Sequence, residues 1–294
     1  MCKVSVICLT YNHAPYIAQA LDSFVRQETS FRYEVIVHDD ASTDGTADIL
    51  REYAARYPDI IRPVFETENQ YSQGIVISRD ILMPLARGEF IAFCEGDDFW
   101  TDPRKLGKQV RALESHPEAD ICTHTAAVVK DGRLWKYYAP SICNRTIPVE
   151  DVIFGGGNFV ATNSILCRAS VWKAPAPFRD VLFNDYSLQI QGSLRGGMIY
   201  LCDCMSVYRP YLPGAWTSRH ISKEERICFH QTDKAMLIAL DRYTRGQYSE
   251  AIRRRCALYD AEDKRTKRMV RLARSVKKRL IELCYRLRGS KFTS

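Results

Sequence analysis

Residues 90–103 read FIAFCEGDDFWTDP, an apolar run that passes straight into Glu95, Asp97 and Asp98 and then Phe99-Trp100. Phe90 to Cys94 suits a central strand covered on both faces. Open α/β sheets bind ligands at the carboxyl ends of such strands, so the acids stand where a ligand would. Clustered carboxylates repel one another unless a cation joins them. Hard oxygen donors favour Mg²⁺ or Mn²⁺, and Mg²⁺ commonly takes one or two carboxylates plus substrate phosphates. A solvated acidic turn capping the next helix is the competing reading, and the three acids alone do not decide between the two.

The first hundred residues alternate strand and helix. Lys3–Thr10 is a strand pattern. Asn12 and Pro15 open a helix with Ile17, Ala20, Leu21, Phe24 and Val25 on one face. Glu34–Val37 is a second strand, running into His38-Asp39-Asp40. Ser42-Thr43-Asp44-Gly45 has turn and N-cap chemistry ahead of a helix carrying Ala47, Leu50, Tyr53, Ala54 and Tyr57. Ile61–Phe65 is a third strand, Gly74–Ala86 a predicted helix and Phe90–Cys94 a fourth strand. Such alternation implies an α/β fold with a parallel sheet and right-handed crossovers. After Pro103 comes a helix with Leu106, Val110 and Leu113. The pattern then loosens to α+β: a strand-like Ile121–Val129, a Lys-Asp-Gly turn at 130–132, an irregular middle with Gly155-Gly156-Gly157, and strand-like runs at Asn163–Cys167 and Met198–Tyr208. From His220 on the pattern is helical.

Bulk properties narrow the class. At 294 residues, 46% hydrophobic and 26% charged, the chain has the composition of a soluble globular protein. No apolar run approaches the ~20 residues of a membrane span. The opening MCKVSVICLTYN has no signal-peptide layout. The eleven cysteines include no CxxC pair, and Cys8, Cys94 and Cys167 sit inside apolar runs, so a reduced, cytosolic protein is expected. The net charge of +7 hides an asymmetry. From Lys264 onward there are 12 Lys/Arg and one acid, Glu282, whereas the preceding 263 residues carry 30 bases against 34 acids. An acidic body argues against nucleic acid as the partner. In the tail, Met269, Leu272, Ala273, Val276, Leu280, Leu283 and Leu287 form one stripe amid basic residues. That pattern fits a helix lying on an anionic membrane surface, and equally a packed helix with a solvated basic face.

Three features meet on one rim, at the carboxyl ends of the parallel strands: Thr10-Tyr11-Asn12, Asp39-Asp40 and Glu95-Gly96-Asp97-Asp98. Tyr11 could stack on a base and Asp40 accept from a uracil-like N–H. The acids below could hold a divalent ion against a diphosphate. Together these describe a nucleotide-diphosphate site. There is neither GxGxxG nor GxxxxGK[ST], so it is not a dinucleotide fingerprint or a P-loop.

The segments VSVICLTYN, VIVHDDASTDGT and ARGEFIAFCEGDDFWTDPRKLGKQ, in that order, resemble the inverting family 2 glycosyltransferases of the GT-A fold. They look most like the bacterial branch that builds surface polysaccharides and glycans. The resemblance runs, with gaps, from about Val4 to Trp216. It implies a GT-A domain over residues 1–218, with a nucleotide-sugar-binding half (1–103) and an acceptor half (104–218), and a helical C-terminal extension over 219–294. By the same resemblance Thr10, Tyr11 and Asn12 line the nucleoside pocket and Asp40, beside Asp39, holds the uracil ring. Glu95-Gly96-Asp97 stands at the family's DxD motif, with Glu95 in place of the first Asp. Asp97 or Asp98 is then the ligand of Mn²⁺ or Mg²⁺, the other touching ribose or diphosphate.

Asn184-Asp185 resembles the acidic motif that opens the acceptor-side helix, which makes Asp185 the expected general base; on residues alone it is a helix N-terminal acid. Tyr208–Gly214 resembles a late loop where many relatives have His in place of Tyr211, so no third metal ligand is expected there. His220 reads as a surface histidine. The implied donor is a nucleotide-diphosphate sugar, a UDP-sugar by the acid beside the ring, and the acceptor a glycan or lipid-linked hydroxyl. The implied location is cytoplasmic, with the tail able to reach the inner face of the membrane. A catalytically silent nucleotide-sugar or glycan-binding module of the same fold is the second reading, and a nucleotidyltransferase a third. Weaker expectations attach to Phe99 and Trp100 as donor walls or core, to Arg79 as a phosphate contact or a salt-bridged surface residue, to Gly155–Asn158 as an acceptor loop or plain turn, and to Asn163-Ser164 as acceptor-facing.

Overall fold

A computed structural model describes residues 2–210, 212 and 222–265. Strands β1 (Val4–Thr10), β2 (Tyr33–Asp39), β3 (Ile61–Phe65) and β4 (Phe90–Phe93) pair in parallel in the order β3-β2-β1-β4. The continuous apolar runs of β1, β2 and β4 are explained by their position, since each is covered on both faces and nearly every residue is buried. Pro63 lies in β3, at the edge of the sheet, where a missing N–H costs least. Helix α1 (Ala14–Val25), with Pro15 in its first turn, buries Ile17, Ala20, Leu21 and Phe24 against Val4, Val6, Val35 and Val37. Full burial of Leu21 and of Phe24 stabilises by about 1.5–3 kcal/mol each. Leu21→Ala would therefore cost about 2–5 kcal/mol once the cavity is included. Helix α2 (Thr46–Arg56) follows β2.

Beyond β4 the sheet changes character. β5 (Phe99–Trp100) leads into α3 (Lys105–Glu114), then β6 (Ile121–Lys130), β7 (Arg133–Tyr138), β8 (Arg145–Ile147), α4 (Val149–Gly155), β9 (Leu166–Arg168), α5 (Ala169–Lys173), α6 (Asp185–Ser193) and β10 (Met198–Tyr208). β9 pairs antiparallel with both β4 and β6, and β10 runs parallel to β6 and antiparallel to β5 and β8. The fold is mixed α/β, and one sheet runs through both halves. The Lys-Asp-Gly turn closes the β6–β7 hairpin with Asp131 and Gly132 both at positive φ, 51° and 72°, as a right-twisted two-residue hairpin requires.

Two predicted elements differ. Gly74–Ala86 is not a regular helix but short helical turns at Ser78–Leu82 and Met83–Leu85. Its apolar residues Ile77, Leu82 and Ala86 are buried as a helix face would be. Pro84, however, supplies no N–H for the bond that a regular helix would make to the carbonyl of residue 80, so the ladder breaks. The strand expected over Asn163–Cys167 begins only at Leu166. Thr162–Ser164 forms a tight turn instead, with the Ser164 hydroxyl donating to Ala161 O at 2.6 Å.

Helix α7 (Lys223–Tyr243) starts at a Ser222/Glu225 capping box, and a further helical run covers 249–265. Met236, Leu237, Leu240 and Ile252 from this pair, with Tyr248 from the turn between them, join the core that also holds Val152, Tyr186 and Ile190. Among the described residues no helix is long and apolar enough to cross a membrane, and the ten described cysteines are free thiols. The basic amphipathic stripe from Met269, together with Tyr211, Pro213–Trp216 and His220, lies outside the described residues.

Candidate active site

The rim at the carboxyl ends of β1, β2 and β4 is built by loops that clasp one another. Thr10 and Asp39 are register partners, and Asp40 N donates to Thr10 O at 3.0 Å. Asn12 turns the chain at φ 55°, donating its N–H to Ser42 Oγ at 2.8 Å and accepting Thr43 N–H on Oδ1 at 2.8 Å. Asp44 accepts Ala14 N–H at 2.9 Å and the Thr46 hydroxyl at 2.6 Å, while Thr46 Oγ1 accepts His13 N–H. The Ser-Thr-Asp-Gly segment therefore does more than start α2: it fixes the loop after β1. Gly96 is required between the acids, because a Cβ there would lie 2.8 Å from Thr10 Oγ1 and 2.9 Å from Ile17 Cδ1.

Among the described residues, three buried polar atoms on this rim have no partner: Thr10 Oγ1, His13 Nδ1 and Asp39 Oδ1. Such atoms are costly unless a ligand or water engages them. Tyr11 stands at the edge, 40% exposed and free to cover a ring. Asp40 is more occupied than its expected role suggests. Its carboxylate accepts Gln70 N–H at 2.7 Å and Tyr71 N–H at 3.1 Å, which ties the 69–71 loop to the rim.

Below lie the acids. Asp97 and Asp98 are buried, and Glu95 opens to solvent on the floor of a recess dense with protein around it. Burial pushes the Glu95 carboxyl up to about 8, helped by the charges of Asp97 and Asp185. Burial likewise raises Asp97, against the opposing pull of His13, whose Nε2 lies 3.9 Å away, and of Arg209. Asp98 is raised well above the carboxylate range by burial and by Asp97 and Glu95. It is positioned by Asn163 Nδ2 at 3.0 Å and Arg209 N at 2.8 Å.

Asp185 opens α6 from the opposite side. Asn184 caps the helix with Ser187, and Asp185 accepts the Thr162 hydroxyl at 2.8 Å and Tyr186 N–H at 2.8 Å. Burial raises its pKa despite those two bonds. Asp185 is thus both a helix N-terminal acid and a member of the recess. Tyr208, at the end of β10, is raised by burial and by the charges of Glu95, Asp98 and Asp185, so it lies within electrostatic reach of all three.

The residues of the weaker expectations fall as follows. Asn163 is wholly buried, bridging Asp98, Val207 O and Ser206 Oγ, and Ser164 is buried too, so neither faces an acceptor. Ser164 is held in the same way, its carbonyl accepting from Gln109 Nε2 at 2.8 Å and its hydroxyl donating to Ala161 O at 2.6 Å. Trp100 is core, edge-on to Phe24 at 4.8 Å, and its Nε1 donates to Asn163 O at 3.1 Å. Phe99 lies 4.5 Å from the Arg209 guanidinium, and Arg79 pairs with Asp80. Gly156 is packed, since a Cβ there would meet Arg255 Nη2 at 2.2 Å. Arg209 and His13 are residues to which sequence reasoning gave no role, and Asn163 is one to which it gave the wrong role. Arg209 follows a strand end, so the rule that flagged the acids would have found it. Nothing local marks Asn163 as the support of an acid 65 residues away.

Among the described residues no three His, Cys, Asp or Glu side chains are set to hold a metal unaided. The donor set still fits a divalent ion that brings phosphate oxygens with it: two adjacent buried carboxylates, both destabilised in their charged form.

The family model for glycosyl transferase family 2 matches residues 5–174, more than half of the chain, and the chain belongs to that family. It is 38% identical over 223 residues to an uncharacterized protein of Mycobacterium tuberculosis, covering 76% of this chain and 63% of that one. It is 34% identical over 129 residues to TuaG of Bacillus subtilis, named as a glycosyltransferase of teichuronic acid biosynthesis, covering 44% of this chain and 49% of TuaG. The chain spans less than two thirds of the length of these relatives. The fold is shared with S. aureus TarS, crystallised with UDP-GlcNAc, at a TM-score of 0.63 and 19% identity, covering 81% of this chain and 66% of that one.

Proposed function

We propose that this chain moves a sugar from a nucleotide-diphosphate donor, UDP-linked, to a hydroxyl of a glycan or lipid-linked acceptor, with inversion at the anomeric carbon. The carrying observation is the placement of Asp185, its pKa raised by burial, across the recess from Glu95, Asp97 and Asp98. An acid of raised pKa is suited to take a proton. In the displacement, the acceptor oxygen bonds to the anomeric carbon, the carbon–phosphate oxygen bond breaks, and the acceptor proton passes to a carboxylate oxygen of Asp185. The unpartnered Thr10 hydroxyl and Asp39 oxygen, with Tyr11, Asn12 and Asp40, bind the nucleoside. Asp97 and Asp98 would hold Mn²⁺ or Mg²⁺, which when bound neutralises the diphosphate. Arg209, beside both, adds a fixed positive charge.

On this reading residues 1–103 serve the donor, 104–218 the acceptor, and 219–294 are a C-terminal extension, helical over its described runs 223–243 and 249–265. The protein works in the cytoplasm, with the basic tail on the inner face of the membrane. Thermal shift against UDP, GDP and CDP, each with and without Mn²⁺, tests the donor site. A rise with UDP that needs Mn²⁺ is expected. No shift with any nucleotide on folded protein would remove the transferase reading, whereas a shift without release of UDP from UDP-sugars would leave a silent binding module.

A further inference from the structure

Of Arg253-Arg254-Arg255, on the 249–265 helical run, the first two are exposed and Arg255 turns inward. Its Nη2 donates to Tyr259 Oη at 3.0 Å, and its guanidinium carbon lies 4.3 Å from the centre of the Tyr259 ring. Tyr259 is 3% exposed and donates in turn to Asp233 of α7 at 2.5 Å. Opposite charges on the two helices of the extension are thus joined through one phenol. The guanidinium also meets the Gly155-Gly156-Gly157 loop. Arg255 Nη1 donates to Phe154 O at 3.3 Å, and Gly156, at φ 74°, has no room for a side chain because a Cβ would run into Arg255 Nη2.

From the other side the loop is held by α6. Tyr186 Oη donates to Ile153 O at 2.7 Å, and a Cβ on Gly157 would lie 3.5 Å from Tyr186 Cβ. Three successive glycines have more backbone freedom than any other segment of that length, and two large side chains restrain them here. Tyr186 is 1% exposed, and its own N–H donates to the Asp185 carboxylate at 2.8 Å. Contact therefore runs unbroken from Asp233 through Tyr259, Arg255, the loop and Tyr186 to Asp185. Electrostatics follow the same route. The Tyr186 phenol lies within reach of the charges of Tyr259, Arg255 and Asp233. Asp185 is faced by Glu95 and Tyr208 from the sheet and by Asp233 from α7, whose charge adds to burial in raising the Asp185 carboxyl. A base acts only when held within reach of the proton it takes, and that precision comes from the residues packed behind it.

We propose that the helical extension is a working part of the recess: Asp233, Tyr259 and Arg255 are positioning residues that clamp the 153–157 loop against Tyr186 and so set where the Asp185 carboxylate stands; calling Asp185 a base rests on the transferase reading above. Hydrogen–deuterium exchange of the full-length chain, without nucleotide, reads the clamp. Arg255→Ala should speed exchange about tenfold in peptides spanning 152–160 and 184–189, as loss of a hydrogen bond from a charged donor would, while the rim at 10–16 and 94–99 keeps its rates. Tyr259→Phe, which keeps the ring and removes the phenol, should act in the same segments to a smaller extent. Circular dichroism of each variant confirms folding. The second readout is the Asp185 carboxyl itself, followed by carbon NMR in protein labelled at the Asp side-chain carboxyl and assigned by its loss in Asp185→Asn. Asp233→Asn should lower its titration midpoint, because a nearby negative charge is gone, which a role in helix packing alone would not do. Unchanged exchange at 152–160 in Arg255→Ala, exchange raised equally over the whole chain, or an unmoved Asp185 midpoint in Asp233→Asn would overturn the proposal. Neither readout uses donor or turnover, so failure here and failure of the UDP shift are separate results.

Discussion

The two ends of the same parallel strands treat buried acid in opposite ways. At the amino end, Glu34 is 2% exposed and accepts from Ser5 Oγ at 2.7 Å, from Arg62, and from Arg87 through its backbone and guanidinium. Burial alone would raise its pKa, yet the bonds from Arg87, Ser5 and Arg62 overcome that and hold it near about 2. At the carboxyl end the buried Asp97 and Asp98, with the solvent-open Glu95, face the Arg209 guanidinium and His13, whose own pKa burial lowers, and all three acids are pushed upward. One end is satisfied by its own side chains. The other keeps charge that the fold does not compensate, as a site awaiting a cation and a diphosphate would.

The largest effect should come from the recess. Asp185→Asn is expected to lower turnover about 10²–10⁴-fold while nucleotide affinity, read by the UDP shift, stays as it was. Melting temperature should move by no more than about 2 °C, since an amide can still accept from Tyr186 N–H. Equal loss of turnover and stability would mean that Asp185 is a structural cap rather than a base. At the satisfied end the pattern reverses. Glu34→Gln removes a buried partner of two arginines and should cost about 3 kcal/mol of stability, seen in urea unfolding, with little change in kcat on the folded fraction. A stable Glu34→Gln would erase the contrast between the two ends.

Much of this was legible because parallel strands write themselves plainly. Continuous apolar runs ending in Thr10, Asp39 and Glu95 place those residues on one rim without any coordinates, and the described strands end there. What could not be read depends on contacts distant in sequence or on competition within short segments. Gly74–Ala86 has the apolar spacing of a helix, yet Pro84 removes one of its hydrogen bonds. Asn163 looked free to face a ligand, but a fully buried amide must satisfy its donors and acceptor, and Asp98 and Ser206 provide them. The mostly exposed β7 escaped because RLWKYY suits a strand buried on one face as well as an exposed one.

Acid sharpens the comparison further. The Glu34 pKa is depressed from 4.5 to about 2, so its contribution is fully present above about pH 4.5 and is lost as pH falls towards 2. Urea unfolding measured from pH 6 down to 2 should show wild type losing up to about 3 kcal/mol more than Glu34→Gln over that window. Parallel pH profiles would show that the arginine cluster does not hold Glu34 ionised.

The smallest expected effect is the most discriminating. Among the described residues the Asp97 carboxylate is bonded only by its own backbone N–H, with His13 Nε2 at 3.9 Å, and it sits beside Asp98 and near Glu95. Asp97→Asn removes a buried charge from that group, so the apo protein should melt about 1–3 °C higher, the gain that follows when functional strain is relieved. The same variant should lose the extra stabilisation that Mn²⁺ with UDP confers on wild type, because one carboxylate of the pair is gone. A lower melting temperature would show that Asp97 is satisfied in the free protein, as Glu34 is, and the recess would then hold no uncompensated charge for a cation to relieve.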